Sequence, residues 1–110
     1  MGITKTDGFK KEINSMAEIL KALGHPARLS IMQFLSVQNS CICNDIVDEL
    51  PLAQPTISRH LSELKKVGLI KGNIEGKNVC YCIDTKTWEE VVLEINRISA
   101  ALNKVNSSCC

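Results

Sequence analysis

The stretch Ala53-Gln54-Pro55-Thr56-Ile57-Ser58-Arg59-His60-Leu61-Ser62-Glu63-Leu64-Lys65-Lys66-Val67-Gly68-Leu69-Ile70 decides the fold. Ile57, Leu61 and Leu64 recur at helical spacing. Pro55 sits in the first turn, where a missing N–H costs nothing, and Gly68 is placed to cap the far end. Just upstream, Ile42, Ile46, Val47 and Leu50 read as the buried side of a short helix opened by Cys41-Ile42-Cys43 and ended by Pro51. Two helices joined by so few residues form a helix-turn-helix.

On the N-terminal side, Phe9, Ile13, Met16, Leu20 and Leu23 mark one face of a first helix. Gly24-His25-Pro26 breaks it, and Leu29, Met32 and Leu35 fill a second helix that ends at Gln38-Asn39-Ser40. On the C-terminal side the period changes. Ile70 to Ile74, a Glu75-Gly76-Lys77 turn, and the alternating Val79, Tyr81 and Ile83 predict a β-hairpin. Trp88, Val91, Val92, Ile95, Ile98, Leu102 and Val105 stripe a long last helix. The reading is a mainly α chain with a small hairpin, a winged helix-turn-helix of order ααα-α-ββ-α. It forms one domain over 1–110, with an ordered core over about 9–105 and a mobile cysteine-bearing tail over 106–110. The first and last helices are amphipathic on a chain too short for a generous core, so their stripes are expected to join two copies as a homodimer.

Composition fits a soluble globular protein: 45% hydrophobic, 23% charged, four aromatic residues and a formal net charge of +1. The basic residues are unevenly spread. Between Ala53 and Lys77 stand Arg59, Lys65, Lys66, Lys71 and Lys77 against Glu63 and Glu75 alone. No apolar run approaches the ~20 residues of a membrane span. The polar N-terminus carries no secretory signal, so no membrane partner and a cytoplasmic location are expected. In that compartment six cysteines point to metal or redox chemistry rather than to a disulfide scaffold.

With Ile57, Leu61 and Leu64 turned inward, the outer side of the helix offers Gln54, Thr56, Ser58 and Arg59 near its N-terminal end. Gln and Arg can pair two-pronged with base edges in the major groove, and Ser or Thr can reach bases or phosphates. Lys65, Lys66 and Lys71 flank the backbone, and Lys77 at the hairpin tip can reach phosphate or an adjacent groove. His60 is read either as a phosphate contact or as a buried, satisfied histidine. Glu63 and Lys65 also fit a plain solvated surface. No Gly-rich phosphate loop, metalloprotease motif or nucleophile elbow is present, so the chain is not expected to be an enzyme.

The stretch 53–70 closely resembles the recognition helix of the ArsR/SmtB family of metal-responsive repressors. Leu23-Gly24-His25-Pro26-Ala27-Arg28-Leu29 and Gly76-Lys77-Asn78-Val79-Cys80-Tyr81 are similar to that family as well, so the resemblance runs from about residue 16 to 105. It implies a homodimer joined by the first and last helices, and two recognition helices on a two-fold symmetric double-stranded DNA operator. It also implies repression relieved by a ligand, with no cofactor needed for DNA binding. Ala53 departs from the pattern, which commonly has serine there, and removes one hydroxyl contact.

In that family a Cys-x-Cys at the place of Cys41 and Cys43 binds arsenite, antimonite or soft divalent metals, often with another cysteine three residues on. Here that third place is Ile46. Soft ions prefer thiolate sulfur, and trivalent arsenic takes three thiolates. The third is expected from Cys109 or Cys110, while Cys80 and Cys82, sharing one strand face, are either the alternative source or small packing residues. Zinc sensing on the last helix calls for histidines and carboxylates, and no histidine follows His60. A four-thiolate cadmium or lead site draws on the N-terminal arm, and residues 1–40 hold no cysteine. Arsenite or antimonite as inducer fits best. The rivals are a redox or persulfide switch on the same fold, or a sensor of cadmium, lead or zinc. A small thiol reductase lacks the C-x-x-C and βαβ context.

Overall fold

The computed structural model describes residues 8–38, 40–43, 51–74 and 79–102. The elements, in chain order, are α1 (Lys11–Leu23), α2 (Pro26–Ser36), β1 (Ile42–Cys43), α3 (Gln54–Lys66), β2 (Ile70–Asn73), β3 (Cys80–Ile83) and α4 (Thr85–Leu102). The winged-helix arrangement holds: the described residues form four helices and a small antiparallel sheet. Among the described residues no helix is long and apolar enough to cross a membrane.

Local chemistry explains the boundaries. The Gly24 N–H closes α1 on the carbonyls of Leu20 and Lys21. Pro26 opens α2, and the His25 Nδ1 caps it by accepting the Ala27 N–H at 3.0 Å. At the end of α3, Gly68 N–H donates to Lys65 O at 2.9 Å and Leu69 N–H to Leu64 O at 3.0 Å. That pair of bonds is a Schellman cap, and it needs Gly68 at φ +84. The Asp84 carboxylate accepts the Lys86 N–H at 3.1 Å and starts α4.

The sheet corrects one expectation. Cys41-Ile42-Cys43 does not open a helix, because Ile42 and Cys43 form β1, which pairs antiparallel with β3. The rest of the expected short helix, residues 44–50, lies outside the described residues, as do the hairpin turn at Glu75-Gly76-Lys77 and the tail. Strand order is β1-β3-β2, so β3 is central. Its register sets Ile42 against Tyr81 and Cys43 against Cys80 on one side, and Lys71 against Cys82 and Gly72 against Tyr81 on the other. Gly72, at φ +117, lies so close to β3 that a Cβ would stand 2.2 Å from the Cys80 carbonyl oxygen.

One core joins these elements: Ile19 of α1; Ile31, Met32 and Leu35 of α2; Ile57, Leu61 and Leu64 of α3; then Leu69, Ile70, Tyr81 and Val91. Leu64, Leu69 and Ile31 are fully sealed. The inner stripe of α3 therefore fixes how the helix sits on α1, α2 and β2, and leaves Ser58, Arg59 and Ser62 exposed on its outer side.

Candidate nucleic-acid interface and cysteine cluster

On the outer side of α3, Ser58 and Arg59 are exposed and Thr56 is half-buried near the N-terminal end. Gln54 occupies the first position of the helix. Pro55 lies in the first turn, and the Thr56 and Ile57 N–H groups close on the Ala53 carbonyl, each at 3.1 Å. Lys66 and Lys71 are exposed. The Lys65 ammonium donates to the Gly72 carbonyl at 2.6 Å and so ties the end of α3 to the wing strand β2. Lys77 lies outside the described residues.

His60 takes the inner of its two alternatives. It is 5% exposed, and its Nδ1 accepts a hydrogen bond from the Arg28 Nε at 3.2 Å. Arg28 also donates through Nη1 to the Ala22 carbonyl at 3.2 Å, so one guanidinium links the end of α1 to α3. The His25 ring lies 4.4 Å from that of His60. Burial, then the nearby His25 and the Arg28 and Arg59 charges, push the His60 pKa below its ordinary 6.5. A neutral ring with a free Nδ1 lone pair is what the Arg28 bond requires. Arg28 stands in the family-like stretch 23–29, but nothing in that stretch carries a signal of its partner 32 positions away.

The cysteines are brought together differently from the sequence expectation. Cys41 and Cys43 flank Ile42, and the register with β3 sets them opposite Cys82 and Cys80. Disulfides join Cys41 to Cys82 and Cys43 to Cys80, with Cα separations of 4.6 and 4.1 Å. Cys80 and Cys82 are half-buried, while Cys41 and Cys43 are exposed. Between Cys80 and Cys82, Tyr81 is buried on the opposite face of β3. Cys109 and Cys110 lie outside the described residues. The one sequence signal for β1 is the Cys-x-Cys spacing shared by 41–43 and 80–82, which fits two strands facing one another.

A model of the family described as "Bacterial regulatory protein, arsR family" matches residues 25–71, the span from the start of α2 into β2. The chain is 47% identical over 79 residues to an uncharacterized HTH-type transcriptional regulator of Methanocaldococcus jannaschii, covering 70% of this chain and 88% of that one. This chain belongs to the ArsR family. The regulator is also 33% identical over 89 residues to a cadmium resistance transcriptional regulatory protein CadC homolog of Staphylococcus aureus, covering 80% of this chain and 73% of that one. Its fold matches the structure of an ArsR-like transcriptional regulator from Rhodococcus with a TM-score of 0.68 at 20% identity, over 84% and 86% of the two chains. It is a winged helix-turn-helix transcriptional repressor of the ArsR/SmtB family.

Proposed function

We propose that this ArsR-family regulator binds a two-fold symmetric operator as a homodimer and leaves it when trivalent arsenic or antimony is bound by cysteine thiolates that include Cys41 and Cys43. The observation that carries the reading is the placement of Cys43 on β1 and of Cys41 immediately before it, next to the wing and ahead of α3. An ion that draws the sulfurs together strains the support on which the outer side of α3 is presented. Gln54, Thr56, Ser58 and Arg59 meet base edges and nearby phosphates, and Lys65, Lys66 and Lys77 meet the backbone. The apolar faces of α1 and α4, with Ile13, Leu93, Ile98 and Leu102 exposed, meet the second copy. Cys109 and Cys110 are further candidate thiolates. Coupling of about 1–3 kcal/mol between ion and operator is typical of such regulators, and it is reciprocal.

A second reading has support of its own. The Cys41–Cys82 and Cys43–Cys80 disulfides make an oxidant, acting on the same four sulfurs, an alternative signal. Fluorescence anisotropy of labelled upstream DNA separates the two. Reduced protein should bind in a salt-sensitive way and be released by arsenite, and Cys41→Ser should bind equally well but resist release. Release by a mild oxidant with no response to arsenite would select the redox reading instead.

A further inference from the structure

The antiparallel pairing of β1 with β3 places four sulfurs on one face of two adjacent strands. Side chains two residues apart on a strand share a face, and residues opposite one another in register share it too. Cys43 and Cys80 are paired in register, and Cys41, one residue ahead of β1, faces Cys82 at the next such position, as their disulfide shows. The Cα separations of 4.6 and 4.1 Å are those of narrow cross-strand pairs, where side chains come closest. Along each strand the two cysteines stand roughly 6.5 Å apart, two residue rises. The four Cβ atoms therefore mark the corners of a rectangle small enough for rotation about χ1 to bring the sulfurs toward its middle. A thiolate-bound ion sits ~2.3 Å from each sulfur.

We propose that Cys41, Cys43, Cys80 and Cys82 form one intrasubunit site for a thiolate-seeking metal or metalloid ion, in which the wing strand supplies the ligands beyond Cys41 and Cys43. The proposal rests on the regulator reading above and deepens it by assigning those ligands to β3 rather than to the tail. Three features support it. Cys41 and Cys43 are exposed, which gives an ion its way in. Lys71 stands opposite Cys82 across the β2–β3 register and so shares the cysteine face, where its positive charge offsets part of the negative charge that several thiolates bring to one ion. The opposite face is closed by buried Tyr81, so the site has one open side.

The site exists only in the reduced protein. With both disulfides formed, no three His, Cys, Asp or Glu side chains among the described residues are free to hold an ion together. Each disulfide is opened by two electrons and two protons from a small dithiol, which itself becomes a disulfide. The two cysteine thiols so released each lose a proton to solvent when they bind the ion. Disulfide and ion thus compete for the same four sulfurs. The ion also clips β1 to the wing, which transmits its presence to the element flanking α3.

The number of thiolates used separates the two chemistries that fit. Trivalent arsenic takes three, and a soft divalent ion such as cadmium takes four in a tetrahedron. The experiment uses the full chain, reduced and then freed of reductant under anaerobic conditions. Cadmium and, separately, arsenite are titrated while the ultraviolet thiolate-to-metal charge-transfer band is followed. The variants are Cys80→Ser, Cys82→Ser, both together, and Cys109→Ser with Cys110→Ser. The tail variant should bind one ion per chain as the wild type does, and the wing double variant should bind both ions at least tenfold more weakly. Either single wing substitution weakening cadmium tenfold identifies a four-thiolate site. Arsenite binding that survives each single substitution and fails in the double identifies a three-thiolate site. Wild-type binding of both ions by the wing double variant, or loss of binding in the tail variant, overturns the proposal. Protection of Cys80 and Cys82 from alkylation by the bound ion, read by mass spectrometry on the wild type, gives the same answer without any substitution. Operator binding by the same samples separates the two readings. A wing double variant still released by arsenite sinks the site and spares the proposed function. Ion binding on the wing cysteines with no release does the reverse.

Discussion

Helices α3 and α4 are both amphipathic, yet the chain treats their apolar stripes in opposite ways. Along α3, Ile57, Leu61 and Leu64 are sealed at 1%, 4% and 0% exposure. Along α4, Val91 is buried, while Ile95, Ile98 and Leu102 stand open at 47%, 53% and 61%. The difference lies in what surrounds each helix. α3 is the central helix, backed by α1, α2 and β2, whereas α4 packs chiefly against α1 and sends only Val91 fully into the core. A periodic stripe announces that a face will be covered. It does not say whether the cover is the same chain or another copy.

The largest effect that sharpens this contrast is on stability. Leu64→Ala should cost about 2–5 kcal/mol, because the pocket around a sealed leucine cannot collapse fully. Ile98→Ala should cost the isolated subunit much less, about 0.5 kcal/mol, because the side chain is already half in solvent. Urea denaturation of both variants tests it, and equal losses would break the contrast. Next, Ile95→Glu with Ile98→Glu should weaken self-association by about thirtyfold or more, roughly 2 kcal/mol. Sedimentation velocity would read this as a shift from dimer to monomer with helical content kept. A variant that remains a dimer would move the second copy to another face.

A smaller effect concerns the outer side of α3. Arg59→Ala should lower operator affinity by about 1–3 kcal/mol while leaving the thermal midpoint unchanged, since the side chain is exposed. Loss of the midpoint together with affinity would make Arg59 a structural residue instead.

The smallest effect is the pH dependence of His60. Its folded pKa lies below the ordinary 6.5, so between the two values the unfolded chain binds more protons than the folded one. The contribution of the neutral ring is complete above about pH 6.5 and is lost as pH falls through the folded value. The wild type should therefore lose more stability than His60→Gln between about pH 7 and about pH 5. Identical pH profiles by thermal melting would remove the ring from the balance.

Much of this was legible in the chain. The helical stripe 57–61–64, Pro55 and Gly68 announced α3 and its cap, because capping and periodicity are local properties. The hairpin was legible in the alternation of Val79, Tyr81 and Ile83. The segment Cys41-Ile42-Cys43 misled, since its apolar spacing continues into Ile46 and Leu50 as a helix would. It became a strand because β3 offers it a partner edge, and a two-residue strand has no periodicity of its own to read.

By itself the sequence determined the helix-turn-helix, the wing and the polar outer side of α3, because each depends on residues within a few positions of one another. Only the tertiary structure decided that Cys41 meets Cys82 and Cys43 meets Cys80, across 41 and 37 residues of chain. It alone turned His60 inward to Arg28, 32 positions away. Pairings that distant are selected by the register of packed strands and helices, and the local pattern around each partner carries no record of the other.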